Sequence, residues 1–262
     1  MPAGSPTWDL DRNRLAGTRF GTVRFYDEIG STNTELVEDA RAGADEGLVL
    51  VADHQTAGRG RLDRSWSAAP GTSLLVSVLL RPPLPISEVP VVLMAAGLAA
   101  CDGVESAGGF RPRLKWPNDL VVGDRKLAGL LTESTPGEVT AVVLGLGINV
   151  TAGAYPAELT DTATSCEEEA QRPVDRADLL VAFLAALEAR YSAVLVKGGG
   201  ETTMQAYRAD SATIGRRVRV ELPNGTLEGA ADRVAWNGQL IVVDDAGGHH
   251  VVNAGDVIHL RT

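Results

Sequence analysis

The period of the apolar positions changes several times along this 262-residue chain, and each change marks an element. Residues 47–53 (GLVLVAD) and 72–81 (TSLLVSVLLR) are nearly continuous apolar runs, the pattern of strands buried on both faces. Residues 87–104 (SEVPVVLMAAGLAACDGV) are apolar on most sides and too long for one strand, which predicts a helix packed across a sheet. Shorter strands are predicted at 112–122, 125–133 and 139–150, a clear amphipathic helix at 174–195 and a weaker helix at 200–211. A further helix starts within STNTELVEDARAG (31–43), where Thr32 and Glu35 have capping-box spacing. Strands interleaved with helices predict a two-layer α/β (α+β) domain.

Near residue 213 the pattern shifts to two-residue alternation. Asn224-Gly225 and Asn237-Gly238 punctuate it, a strong local signal for tight hairpins, and a small β-barrel domain is predicted there. The chain then divides into a tail (1–21), a main domain (22–212) and a C-terminal domain (213–262). The polar excursion at 153–173 is expected to cover the surface of the main domain.

Composition narrows the function classes. A hydrophobic content of 44% supports one substantial core, and a net charge of −10 works against a general nucleic-acid surface, which needs many cations. Cys101 and Cys166 match neither a zinc spacing nor a disulfide scaffold, so a reducing, cytoplasmic setting is expected. The first twenty residues lack a signal-peptide core, and no run reaches membrane length without a charge or a breaker. Four scattered histidines make a poor metal site, and no protein metal site is expected.

Local cations remain. In HQTAGRGRLDRSW (54–66), Gly58 and Gly60 let the backbone turn, while Arg59, Arg61 and Arg64 offer charge to carboxylate or phosphate oxygens. The segment is neither a G-x-G-x-x-G fingerprint nor a phosphate-binding P-loop, and GLGINV (145–150) fails the same test. Its cations repel, so the loop is expected to be disordered when empty; the alternative is an ordinary solvated basic turn. Trp66 could anchor it or pack beside a ring. Ser31, Thr32 and Asn33 bring two hydroxyls and an amide to a helix start, and Gln55 can donate and accept together. KWPNDL places Lys115, Asn118 and Asp119 around a turn constrained by Pro117. Lys126 and Gly129 are three apart on a strand and face opposite ways unless a bulge intervenes. Asn149 could recognise a base edge or cap a turn.

These residue types suit activation of a carboxylate as an acyl-adenylate. Flexible cations would offset charge at the α-phosphate and on departing pyrophosphate, with magnesium held largely through phosphates. Transfer to a protein lysine would need help from a carboxylate such as Asp119, because a free lysine amine titrates near roughly 10.4.

Taken together, STN (31–33), HQTAGRGRLDRSW (54–66), KWPNDLVVGDRKLAGLLTE (115–133), GLGINV (145–150) and YRADSATIG (207–215) resemble the biotin protein ligases, also called biotin–[acetyl-CoA-carboxylase] ligases, in order over about residues 22–262. The resemblance implies a ligase domain of the type shared with lipoate-transfer enzymes, followed by an SH3-like β-barrel. It implies ATP-dependent formation of biotinyl-5′-AMP with Mg2+, then transfer of biotin to a lysine on the biotin carboxyl carrier domain of an acetyl-CoA or acyl-CoA carboxylase.

By motif, the resemblance places Ser31, Thr32 and Gln55 around the biotin ureido head, with Asn33 beside them. Arg59, between Gly58 and Gly60, belongs to the loop that closes over that head. Arg61 restrains the adenylate, Lys126 bridges the biotin carboxylate and the α-phosphate, and Gly129 lies on the ligand-contacting strand. Trp66, Gly147 and Asn149 fall on the nucleotide side, and Lys115 with Asp119 serves transfer. About twenty residues precede GTVRFYDEIGSTN, so a DNA-binding winged helix is not expected. Carrier docking through an edge strand and a monomer or weak homodimer are expected instead. A lipoate or octanoate ligase or transferase is the enzymatic rival, and a non-catalytic binding module a more distant one.

Overall fold

The computed structural model describes residues 8, 11–62, 64–135, 140–222, 225–253 and 255–260. The main domain runs β1 (Val23–Ile29), α1 (Thr32–Arg41), β2 (Val49–Gln55), β3 (Ser73–Leu80), α2 (Val89–Gly108), β4 (Arg113–Lys115), β5 (Asp119–Val122), β6 (Arg125–Thr135), β7 (Ala141–Asn149), α3 (Cys166–Ala170), α4 (Arg176–Val194) and α5 (Gly199–Asp210). The C-terminal part adds β8 (Arg217–Leu222), β9 (Gly225–Val234), β10 (Leu240–Val243), β11 (His249–Val252) and β12 (Asp256–His259). Seven strands form one mixed sheet in the order β1-β2-β3-β7-β6-β5-β4, in which β1 and β2 are parallel and the other pairs antiparallel.

The two faces of this sheet follow from the alternation of its central strands. On one face Val76, Val78, Val142, Leu144, Leu146 and Ile148 join α2 and α4 in the main core. On the other, Leu50, Leu79, Ala141 and Val143 pack under Leu36 and Ala40 of α1. The sheet is therefore covered on both faces, and the expected two layers become three where α1 lies. Further along that second face, from the first turn of α1 onward, the same strands present Ser77, Gly145 and Gly147 instead of large apolar groups, and these positions line a cleft. α2, with the turn before it, is long and apolar enough to cross a membrane, yet most of it is buried against the neighbouring elements.

The C-terminal domain does not close into the SH3-like β-barrel expected from its hairpins. Its strands form a single open antiparallel sheet in the order β11-β10-β9-β8-β12, with β11 and β12 as its edges. Strands β10, β11 and β12 are four residues each, and among the described residues no pairing joins β11 to β12. On the edge strands Val252 and Val257 are buried while their neighbours Val251 and Ile258 face outward and stay 57% and 44% exposed. The register does shift between Ile241 and Val242, but this bend leaves both edges open. Asn224 lies outside the described residues, although Leu222 pairs with Gly225 across its turn; Gly238 takes φ 85° in the second turn.

Candidate active site

Three strands supply the floor of a cleft of about 410 Å3. Leu75, Gly147 and Gly129 are paired across β3, β7 and β6, as are Ser77, Gly145 and Leu131 one step further along. The glycines leave room for what rests on the floor. A Cβ at Gly145 would lie 2.2 Å from Asn33 Oδ1, and one at Gly147 would lie 2.7 Å from the Trp66 ring.

One end of the cleft is built by the start of α1. Ser31 is the N-cap, its hydroxyl accepting from the Thr34 N–H at 3.5 Å, so the cap lies one residue before the capping-box position expected at Thr32. Freed from that task, Thr32 turns toward Gln55, whose Oε1 accepts from the Thr32 N–H at 2.7 Å and lies 3.1 Å from its hydroxyl. The fully buried Ser77 hydroxyl stands 2.7 Å from Thr32 Oγ1 and 2.6 Å from Asn33 Oδ1. Asn33 Nδ2 donates to Glu133 at 3.1 Å, and Arg59 donates to the other oxygen of the same carboxylate at 2.8 Å.

The described residues of the segment carrying the arginines pair as a small hairpin. Arg59 bridges Ser65, the Gly60 N–H donates to the Arg64 carbonyl, and the Trp66 N–H donates to the Gly58 carbonyl. Glu133 offsets one of its charges, which removes part of the repulsion that would favour disorder. Gly58 is required by close approach, because a Cβ there would meet the Trp66 carbonyl oxygen at 2.4 Å.

At the other end Lys126 sits 2.7 Å from Asp119 and 5.7 Å from the centre of the Trp66 ring. A bulge puts it there. Leu120 pairs with Ala128 but Val121 pairs with Lys126, so Leu127 is the extra residue and the alternation resets. Lys126 Nζ thus comes to 3.2 Å from a Cβ built on Gly129, on the face that strict alternation would have denied it. The excursion at 153–173 pins this point: the Lys126 N–H donates to Thr162 and its carbonyl accepts from Thr164, at 2.7 and 2.9 Å. Arg61 reaches Asn118 Oδ1 at 3.4 Å, and Asn118 is locked to Leu130 by hydrogen bonds in both directions.

The C-terminal sheet closes this end. Glu221, Val257 and Ile258 line the cleft, and the turn that carries Lys115 is gripped from behind. The Trp116 N–H donates to Thr213 Oγ1 at 3.0 Å, its indole N–H donates to the Gly238 carbonyl at 2.8 Å, and His259 Nε2 lies 3.1 Å from Thr213 Oγ1. Arg216 donates to His259 Nδ1, which identifies a neutral ring donating from Nε2. Burial, with the positive charges of Lys115 and Arg216, pushes the His259 pKa down to about 4 against the opposing pull of Asp124. Burial pushes the thiols of Cys101 and Cys166 up to about 12, so neither is a nucleophile.

Residues 26–149 match the model of the biotin/lipoate A/B protein ligase family, and residues 213–260 match that of the biotin protein ligase C-terminal domain. The chain is 40% identical over 257 residues to the biotin–[acetyl-CoA-carboxylase] ligase of Mycobacterium tuberculosis, spanning 94% of this chain and 92% of that protein. The chain belongs to the biotin protein ligase family. This ligase is also 34% identical over 227 residues to the bifunctional ligase/repressor BirA of Bacillus subtilis, covering 85% of this chain and 70% of that one. The solved biotin protein ligase of Aquifex aeolicus in complex with biotin and ATP superposes with a TM-score of 0.78 at 26% identity, over 92% of the ligase and 99% of that chain.

Most residues singled out from the sequence of the ligase meet in its cleft: Ser31, Thr32, Asn33, Gln55, Arg59, Gly60, Arg61, Trp66, Lys115, Asp119, Lys126, Gly129 and Gly147 all line it. Gly58 and Asn149 do not. Gly58 supports the hairpin, and the buried Asn149 amide donates to the Thr164 carbonyl at 3.0 Å. Sequence reading missed Ser77 and Glu133, and it missed the contribution of Glu221, Val257 and Ile258. Ser77 carried a signal, a hydroxyl in the middle of an apolar strand; the C-terminal residues carried none, because domain docking sets their position.

Proposed function

We infer that this ligase attaches biotin, at the expense of ATP, to one lysine of a biotin carboxyl carrier domain through a biotinyl-5′-AMP intermediate. One observation carries the reading: a single cleft joins an end lined by Ser31, Thr32 and Gln55 to an end bearing Arg61, Arg64, Lys115 and Lys126. The ureido head of biotin, uncharged and rich in donors and acceptors, suits the first end, and a carboxylate beside phosphates suits the second.

In the first half-reaction the biotin carboxylate attacks the α-phosphorus of ATP. The bond to the β-phosphate breaks, a mixed anhydride forms and pyrophosphate leaves. Lys126 and Arg61 offset the charge that grows on the phosphoryl oxygens, and Trp66 stacks over the floor beside them. In the second, the amine of the carrier lysine attacks the acyl carbonyl and AMP departs; Asp119 orients that amine and receives its proton, while its cross-strand partner Lys115 offsets charge on the departing AMP. Among the described residues no group of three or more His, Cys, Asp or Glu could cage a metal, and this donor set fits a magnesium ion carried by the triphosphate. When bound, such an ion neutralises phosphate charge.

The same reading divides the chain at 1–21, 22–212 and 213–262 and places it in the cytoplasm, where ATP is available and the free thiols stay reduced. Its partner is the carrier domain of an acetyl-CoA or acyl-CoA carboxylase rather than DNA or a membrane, and it acts as a monomer or weak homodimer. Incubation with labelled biotin, ATP and an apo carrier domain tests the whole scheme. Label in the carrier, and pyrophosphate exchange that depends on biotin but not on lipoate or octanoate, is the expected result. Exchange supported by lipoate or octanoate instead would move the enzyme to the related transfer class.

A further inference from the structure

Glu133 lies on β6, four residues beyond Gly129 on the same strand, and its side chain is 25% exposed. The reactions described above give it no task. Each of its oxygens nevertheless receives a donor from a different wall of the cleft: Arg59 from the cationic hairpin at 2.8 Å and Asn33 from α1 at 3.1 Å. We propose that Glu133 is a positioning residue that fixes the ureido end of the cleft, docking Arg59, setting the orientation of Asn33 and cancelling the charge that Arg59 would otherwise present to the head of the substrate. The proposal rests on the biotin reading of the cleft.

The chemistry of the three groups demands a carboxylate. Arg59 and the Asn33 amide nitrogen are both donors, so the group between them must accept on both sides, which an ionised carboxylate does and an amide cannot. The Asn33 carbonyl is already committed to Ser77 at 2.6 Å, which leaves one orientation of the amide. Asn33 therefore acts as part of the wall, and Thr32 and Gln55 remain the groups turned to a ligand.

Charge adds orientation. A lone guanidinium at the head end would attract the carboxylate of an acid entering the wrong way round, or a nucleotide phosphate. Paired with Glu133, that end is neutral. The far end keeps Arg61, Arg64, Lys115 and Lys126 against Asp119 and Glu221, so an amphiphilic acid is drawn in with its carboxylate toward Lys126.

The test is Glu133→Gln in the full-length chain, with two readouts. In biotin-dependent pyrophosphate exchange, the KM for biotin rises about tenfold or more, the scale of a lost charge-assisted hydrogen bond, while the KM for ATP moves by less than about twofold. In the unliganded protein, trypsin cleaves between Arg59 and Arg64 several-fold faster, because the hairpin has lost its tether. An unchanged biotin KM overturns the positioning role, and unchanged cleavage overturns the docking of Arg59. Equal rises in both KM values overturn it too, since they mean general damage. If the wild-type chain shows no biotin-dependent exchange, the biotin reading itself fails, and the protease readout still decides whether Glu133 holds the hairpin.

Discussion

Lys126 illustrates how a single side chain reaches its place. Its 41% exposure and its pairing with Asp119 mean that removing it costs little stability, roughly 1 kcal/mol or less for a pair of this exposure. Lys126→Ala is expected to lower biotin-dependent pyrophosphate exchange by about a hundredfold or more, in line with the loss of a charge-stabilising donor, with the melting temperature nearly unchanged. Exchange near the wild-type rate would remove Lys126 from the adenylation step. For Arg61→Gly the expected outcome is faster escape of the adenylate, read as free biotinyl-AMP in a filter assay; equal retention would show that the hairpin does not clamp it. The chemistry of these residues was legible in the sequence because lysines are scarce and the arginines of 54–66 are clustered. Glu133 was not, since a carboxylate on a strand advertises nothing until its two donors arrive from α1 and the hairpin.

At the scale of elements, small residues decide where a ligand can lie. β7 alternates Ala141, Val143, Gly145, Gly147 and Asn149 on one face with Val142, Leu144, Leu146 and Ile148 on the other. The apolar part of the first face lies under α1 and the glycine part forms the cleft floor. Gly147→Ala would drive a Cβ to 2.7 Å from the Trp66 ring and displace it. A several-fold rise in the KM for ATP is the expected result, and an unchanged value would show that Trp66 does not serve the nucleotide. The strand positions of 72–81 and 139–150 followed from their apolar runs, whereas the bulge at Leu127 did not. It depends on which residues of β5 face β6, and local pattern carries no record of register. The N-cap shifted by one residue for a similar reason: Gln55, distant in sequence, takes up the Thr32 N–H and hydroxyl.

At the scale of the molecule, the C-terminal sheet is docked rather than closed. Trp116, Thr213, His259, Arg216 and Asp124 form a hydrogen-bonded line across the junction. The His259 ring stays neutral in the folded state down to about pH 4, while in the unfolded chain it takes up a proton near 6.5. Between those values the unfolded state binds more protons, so this group's contribution to stability is present above about 6.5 and is lost as pH falls toward 4, on the order of 2–3 kcal/mol. Urea unfolding at pH 7.5 and at pH 5 measures it. His259→Gln should flatten this part of the profile; an equally steep fall in the variant would place the proton uptake elsewhere.

Local chemistry in the sequence determined the elements, the family resemblance and most of the groups that meet in the cleft, because periodicity, turn residues and scarce lysines are properties of neighbouring positions. The tertiary structure alone decided which part of one sheet face is left for the cleft, which strand face Lys126 occupies, that the C-terminal strands stay an open sheet, and that Glu133 joins Arg59 to Asn33. Each of these depends on strand register or on the docking of segments far apart in the chain, and such contacts are set by the packing of the whole molecule.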